Sequence, residues 1–219
     1  MDHCALSASV FHKLADGYRE KFMDVTLYDD SYKQFCELLP LERARVLDAA
    51  CGPGNVSRYL LAQRPNLDLL GIDLAPRMVE LAREAVPLAR FAVHDCRNLA
   101  GLKQRFDGII CAFGLPYLSP ADAAAFIRAA REHLEPGGVL YLSTLLGRSE
   151  DSGFECCSTG DQLYINYHNE DQVIHAVCEC GFTILKQKQI PSPTIAPKPT
   201  TDLIVIAKKQ ITTGVSGAT

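Results

Sequence analysis

Val46-Leu47-Asp48-Ala49-Ala50-Cys51-Gly52-Pro53-Gly54-Asn55-Val56-Ser57 reads as a strand, a tight glycine turn and the opening of a helix. Gly52 and Gly54 let the backbone approach a ligand closely and take dihedrals that a side chain would forbid. Ser57 is small where helix and strand must pack tightly. Taken alone, a G-x-G-x-x-small turn fits several nucleotide ligands.

Around this turn, short β-like runs alternate with helical ones, the signature of a parallel sheet covered by helices on both faces. Strands are expected at 45–49, 67–72, 90–93, 106–112 and 139–143. The helices between them are expected at 55–64, from Pro76 to about Val86, and from Ser119-Pro120-Ala121-Asp122 to Pro136-Gly137-Gly138. Ser119 can cap the last of these, and Pro120 fits its first turn. Residues 145–162 turn polar and irregular, which inside a compact domain marks a functional or mobile loop. A helix capped by Asn169 and closed by Gly181 follows. The runs 182–189 and 203–207 have no helix between them, only a connection holding Pro191, Pro193, Pro197 and Pro199, so they are expected to pair antiparallel. Ahead of the alternation, two apolar stripes predict helices: Phe11, Leu14, Ala15, Tyr18 and Phe22, then Tyr28, Tyr32, Phe35, Cys36 and Leu39. The division expected is one domain over 1–208, made of a helical cap at 1–40 and an α/β core at 41–208, with a fraying tail at 209–219.

Three acids sharpen the ligand. Asp48 precedes the glycine turn, Asp73 ends the second strand and Asp95 follows the third, so all three fall at carboxyl ends of neighbouring strands, where open parallel sheets bind ligands. An acid at the end of the second strand accepts hydrogen bonds from ribose hydroxyls in the dinucleotide arrangement. A carboxylate at Asp48 would repel a pyrophosphate and suits a cation, such as the sulfonium and ammonium of S-adenosylmethionine.

The chain resembles the class I S-adenosylmethionine-dependent methyltransferases of small-molecule type over about residues 8–208. Leu47-Asp48-Ala49-Ala50-Cys51-Gly52-Pro53-Gly54 is similar to the family's first motif, 71–78 to its second acidic segment, and Leu134-Glu135-Pro136-Gly137-Gly138-Val139-Leu140 to the motif before the fifth strand. The resemblance implies a doubly wound, Rossmann-like, mostly parallel sheet of seven strands with the last reversed, under an N-terminal helical cap. It implies S-adenosylmethionine as cofactor, with Ala50, Cys51, Gly52, Pro53 and Gly54 along the adenosine and methionine portions. Asp73 would take the ribose hydroxyls, Leu74 and Met78 would flank the adenine, and Asp95 with the Cys96 backbone would read its amino edge. Ala112 and Phe113 would close the methionine side, with Tyr18 and Tyr28 the candidates from the cap; packing competes for Met78, Tyr18 and Tyr28.

Methyl transfer from a sulfonium needs placement and exclusion of water more than acid–base help. His168 is the candidate base, with a surface role as its alternative. Tyr117 and Tyr167 are candidates for an aromatic acceptor pocket, with core packing as theirs. Phe113-Gly114-Leu115-Pro116-Tyr117 stands where members that methylate exocyclic amines of nucleic acids or protein glutamine carry Asp/Asn-Pro-Pro-Tyr/Phe. It lacks that pattern, which points away from those substrates.

The bulk numbers agree. A net charge of −4 argues against a nucleic-acid partner. No stretch of about 18 apolar residues spans a bilayer. The first residues lack the basic and apolar runs of a secretory signal, so the expected location is the cytoplasm. The nine cysteines lack zinc spacing, and no metal is expected. The reading is therefore a methyltransferase acting on a small-molecule acceptor, with oligomeric state open. The alternatives are a cofactor-binding protein or partner subunit without turnover and, behind them, a dinucleotide-dependent oxidoreductase.

Overall fold

The computed structural model describes residues 2–24, 26–157, 159–193 and 200–211. Its centre is a seven-stranded sheet in the order β3-β2-β1-β4-β5-β9-β8. These strands are β1 (Arg45–Ala49), β2 (Asp68–Asp73), β3 (Arg90–Val93), β4 (Phe106–Ala112), β5 (Leu134–Leu146), β8 (Phe182–Pro191) and β9 (Thr201–Lys209). All neighbours from β3 to β5 are parallel, whereas β9 runs antiparallel to both β5 and β8. The reversed final strand is the expected one, because the nine residues between β8 and β9 are too few for a crossover helix.

Alternation along each strand sends side chains into two separate cores. Val46, Ile110, Tyr141, Ile204 and Ile206 face one way, where α2 (Asp29–Leu38), α3 (Asn55–Gln63) and α4 (Pro76–Ala85) cover them. Leu47, Ile109, Leu140, Leu142 and Val205 face the other way, beneath α5 (Pro120–His133) and α6 (Glu170–Glu179). The caps are those the sequence offers: Ser119 Oγ accepts from the Asp122 amide and Asn169 Oδ1 from the Gln172 amide, each at 3.1 Å.

Three expectations change. The stretch 145–162 is less irregular than its polarity predicts: β5 extends to Leu146, and β6 (Gly153–Cys156) pairs antiparallel with β7 (Gln162–Ile165). Leu163, Ile165 and Tyr167 anchor this hairpin against Val10, Phe11 and Tyr117. The cap is also only half a cap. α1 (His3–Phe22) lies across the carboxyl ends of the strands, but Tyr32 and Phe35 of α2 are buried in a core of the sheet. The boundary at 209 shifts, since Lys209 belongs to β9 and its Nζ donates to the Leu134 carbonyl at 2.6 Å. The tail from 212 onward, and Pro197 and Pro199 of the connection, lie outside the described residues.

Candidate functional site

The chain winds outward from β1 to β3, then returns to start β4 on the other side of β1. Such a switch point leaves a crevice above the strand ends. A cavity occupies it, floored by Ala50, Gly52, Asp73, Ala112 and Phe113 and roofed by α1. The floor is tightly constructed. Gly52 (φ 53°) and Gly54 (φ 89°) take left-handed dihedrals, and so do two residues with side chains, Ala50 (φ 56°) and Phe113 (φ 58°). Two left-handed non-glycine residues facing one cavity are strained positions, of the kind that collects at ligand sites.

Asp73 ties the floor together. Its Oδ2 accepts from the Gly52 amide and its Oδ1 from the Ala75 amide, both at 2.9 Å. One carboxylate thus fixes the glycine turn and the start of α4. The Leu74 amide also bears on this carboxylate, which keeps lone-pair capacity for a ligand hydroxyl. Burial pushes the Asp73 carboxyl above its ordinary value, and the backbone bonds oppose that shift.

Of the expected contacts, Tyr18, Ala50, Gly52, Asp73, Leu74, Met78, Asp95, Cys96, Ala112, Phe113 and Tyr117 come together around the cavity. Asp48, Cys51, Pro53, Gly54, Tyr28, Tyr167 and His168 do not line it, each for a visible reason. Asp48 is 1% exposed and accepts from Ser57 Oγ at 2.6 Å. Burial pushes its carboxyl up to about 7. Cys51 is buried beneath the turn, its amide donating to the Ile72 carbonyl. Gly54, buried with Pro53, caps α3. The Tyr28 hydroxyl donates to Asp202 at 2.6 Å and its ring packs on Phe113 with centroids 4.8 Å apart. It therefore supports the floor from behind.

The Tyr167 hydroxyl donates to Glu155 at 2.7 Å within the hairpin. His168 is neither a base in the crevice nor a surface residue. It is buried, with Nε2 2.9 Å from the Leu115 carbonyl, and burial lowers its pKa. It clasps the turn after β4 to the segment after β7.

The crown of three acids is also thinner than expected. The Arg97 guanidinium reaches both Asp95 oxygens at 2.7–3.1 Å, and the Arg97 amide donates to Oδ1 as well. The same guanidinium binds Asp2, the cap of α1, at 2.9 and 3.0 Å. With Asp48 buried and Asp95 paired, Asp73 is the acid left to face a cation.

Sequence reasoning missed the roof. Cys4, Ser7, Ala8 and Phe11 of α1 also line the cavity. Their spacing continues the Phe11–Tyr18 stripe two turns upstream, a helical period visible in the sequence but carried there by small residues. The ring of Phe11 stands edge-on to Tyr117 and to Tyr18, with centroids 4.9 and 5.6 Å apart. Burial raises both phenols, Tyr18 to about 12, so both are neutral hydroxyls at physiological pH.

Residues 46–138 match a family model described as a methyltransferase domain. A demethylmenaquinone methyltransferase of Thermotoga maritima is 34% identical over 109 residues, 50% of this chain and 47% of the relative. A ubiquinone biosynthesis O-methyltransferase of Xanthomonas oryzae pv. oryzae is 38% identical over 112 residues, 49% of this chain and 45% of the relative. The chain therefore matches about half the length of these curated relatives. The crystal structure of a magnesium protoporphyrin IX methyltransferase from Synechocystis PCC 6803 with bound SAH superimposes with a TM-score of 0.72 at 18% identity. That match covers 95% of this chain and 100% of the other. The fold is that of the class I S-adenosylmethionine-dependent methyltransferases.

Proposed function

We propose that this chain, a methyltransferase domain over residues 46–138 set in a class I methyltransferase fold, transfers a methyl group from S-adenosylmethionine to a small-molecule acceptor. The observation that carries the reading is Asp73. It stands at the sheet's switch point, bonded to the glycine turn, with lone pairs left for ribose hydroxyls. Among the described residues the cavity lining holds no lysine or arginine. That suits a cationic donor and argues against a pyrophosphate.

When bound, S-adenosylmethionine supplies an activated methyl group on a sulfonium whose leaving form is a neutral thioether. The chain's own part is placement. Asp73, Gly52 and Ala50 hold the donor, Leu74 and Met78 pack its base, and Phe113 forms the wall on its methionine side. The roof of α1 excludes water, which favours a reaction limited by positioning. Phe11, Tyr117 and Leu118 form an apolar acceptor wall, in keeping with relatives named for demethylmenaquinone and ubiquinone biosynthesis. Tyr18 and Tyr117 are neutral hydroxyls at neutral pH and His168 lies outside the cavity lining, so these side chains contribute packing rather than a base. Among the described residues no helix is long and apolar enough to cross a membrane, and we place the activity in the cytoplasm.

Calorimetry with S-adenosylhomocysteine and NADH separates this reading from an oxidoreductase; tighter binding of NADH would refute it. Asp73→Ala should weaken S-adenosylhomocysteine binding about 10- to 100-fold, since a hydrogen bond to a charged group contributes roughly 1.5–3 kcal/mol. A thioether-release assay over a panel of small acceptors then tests turnover. Micromolar cofactor binding with no release from any acceptor would point to a binding protein instead.

A further inference from the structure

Ser7 is 1% exposed and lines the cavity from the inner face of α1. Among the described residues its Oγ has no hydrogen-bond partner. A serine within a helix commonly returns its hydroxyl to the carbonyl one turn back, and Ser7 does not. A buried hydroxyl left unpaired is unfavourable, and a ligand atom that takes the bond recovers that cost.

Its neighbours locate it. Cys4, one turn earlier, lies in the field of Arg97 and Asp95. Phe11, one turn later, meets Tyr117. Ser7 therefore faces the stretch of cavity between the Asp95–Cys96 end and Tyr117. Two other side-chain groups at that end are already engaged: Asp95 by Arg97, and His94 Nε2 by the Asn98 carbonyl at 2.7 Å. Ser7 keeps its bonding capacity open.

We propose that the Ser7 hydroxyl is a hydrogen-bond partner of the adenosine half of the bound donor, so that α1 recognises the donor as well as covering it. A hydroxyl with one proton and two lone pairs can serve either the ring nitrogens or the amino group of a purine edge. The assignment rests on the reading of this cavity as the donor site.

The test is calorimetry of the full chain with S-adenosylhomocysteine and with adenosine, comparing wild type, Ser7→Ala and Ser7→Cys. Both variants should bind both ligands about five- to tenfold more weakly, the loss of one hydrogen bond. Cysteine, close to serine in size but a weak donor and acceptor, should not rescue. The unliganded melting temperature should hold or rise, because an unpaired hydroxyl is removed. Unchanged affinity in Ser7→Ala would sink the Ser7 assignment while leaving the donor reading intact. A wild type that binds no S-adenosylhomocysteine would remove the donor reading, and this assignment with it. Weakened S-adenosylhomocysteine with unaffected adenosine would move the bond to the amino-acid half and overturn the placement. A lower unliganded melting temperature would make Ser7 a structural residue.

Discussion

Asp48 shows how one residue of register decides a side chain's chemistry. It lies one position short of the end of β1, and strand alternation turns it, with Val46, into the layer filled by α3 rather than up into the crevice. Its charge was legible in the sequence; its burial was not, because the partner that buries it, Ser57, belongs to the helix packed above. The consequence is measurable. The carboxyl titrates near 7 in the folded chain against an ordinary 3.8. Folding therefore takes up a proton between those values, and stability falls as pH rises from about 4 through 7. Above that range a buried charge remains as a penalty of a few kcal/mol. Asp48→Asn keeps an acceptor for the Ser57 hydroxyl and removes the titration. Its melting temperature should exceed wild type by about 5 °C or more at pH 8. The two should nearly coincide at pH 5, and an equal difference at both values would show that Asp48 is ionised throughout.

α1 was predicted from its apolar stripe, but its attachment was not, because its partners are distant in sequence. Arg97 joins Asp95 to Asp2, Lys13 meets Asp161 at 2.7 Å, and Arg77 holds Asp16 at 2.8 Å. His3 stacks on Tyr164 of the hairpin at 3.9 Å. Below these contacts Ala15, Ala75, Met78 and Leu81 form a small core of their own with Phe11 and Tyr18. Exposed ion pairs contribute little singly, about 0–1 kcal/mol, but Arg97 bridges two carboxylates and holds the helix at its first turn. Arg97→Met keeps the stem and removes the fork. Amide exchange over residues 6–11 should then quicken about three- to tenfold while β1 and β4 stay protected. The same segment should loosen in 1 M salt, where screening acts over about 3 Å. Exchange that stays unchanged in both conditions would assign the helix's hold to its apolar contacts alone.

The architecture as a whole was the most legible part, since alternation and the glycine turn are local signals that repeat along the chain. The β8–β9 pairing followed from a connection too short for a crossover helix. What escaped were features fixed by distant pairs: the hairpin anchored by Leu163 and Ile165 on α1, the bond from Tyr28 to Asp202, and the left-handed Phe113 whose amide donates to Ser143 Oγ at 3.0 Å. These long-range ties converge on the cavity, and they bind its walls into one unit with the sheet. A ligand seated between α1 and the ends of β1, β2 and β4 would therefore stabilise the folded chain as a whole. At a hundred times its dissociation constant, a ligand binding only the native state contributes about 2.7 kcal/mol. For a chain of 219 residues that corresponds to a rise of about 5–11 °C in melting temperature. S-adenosylhomocysteine should produce this rise in a single transition, and Asp73→Ala should lose most of it at the same ligand concentration. A second, unshifted transition in the wild-type scan would mean that the cavity belongs to a part of the molecule that melts apart from the sheet.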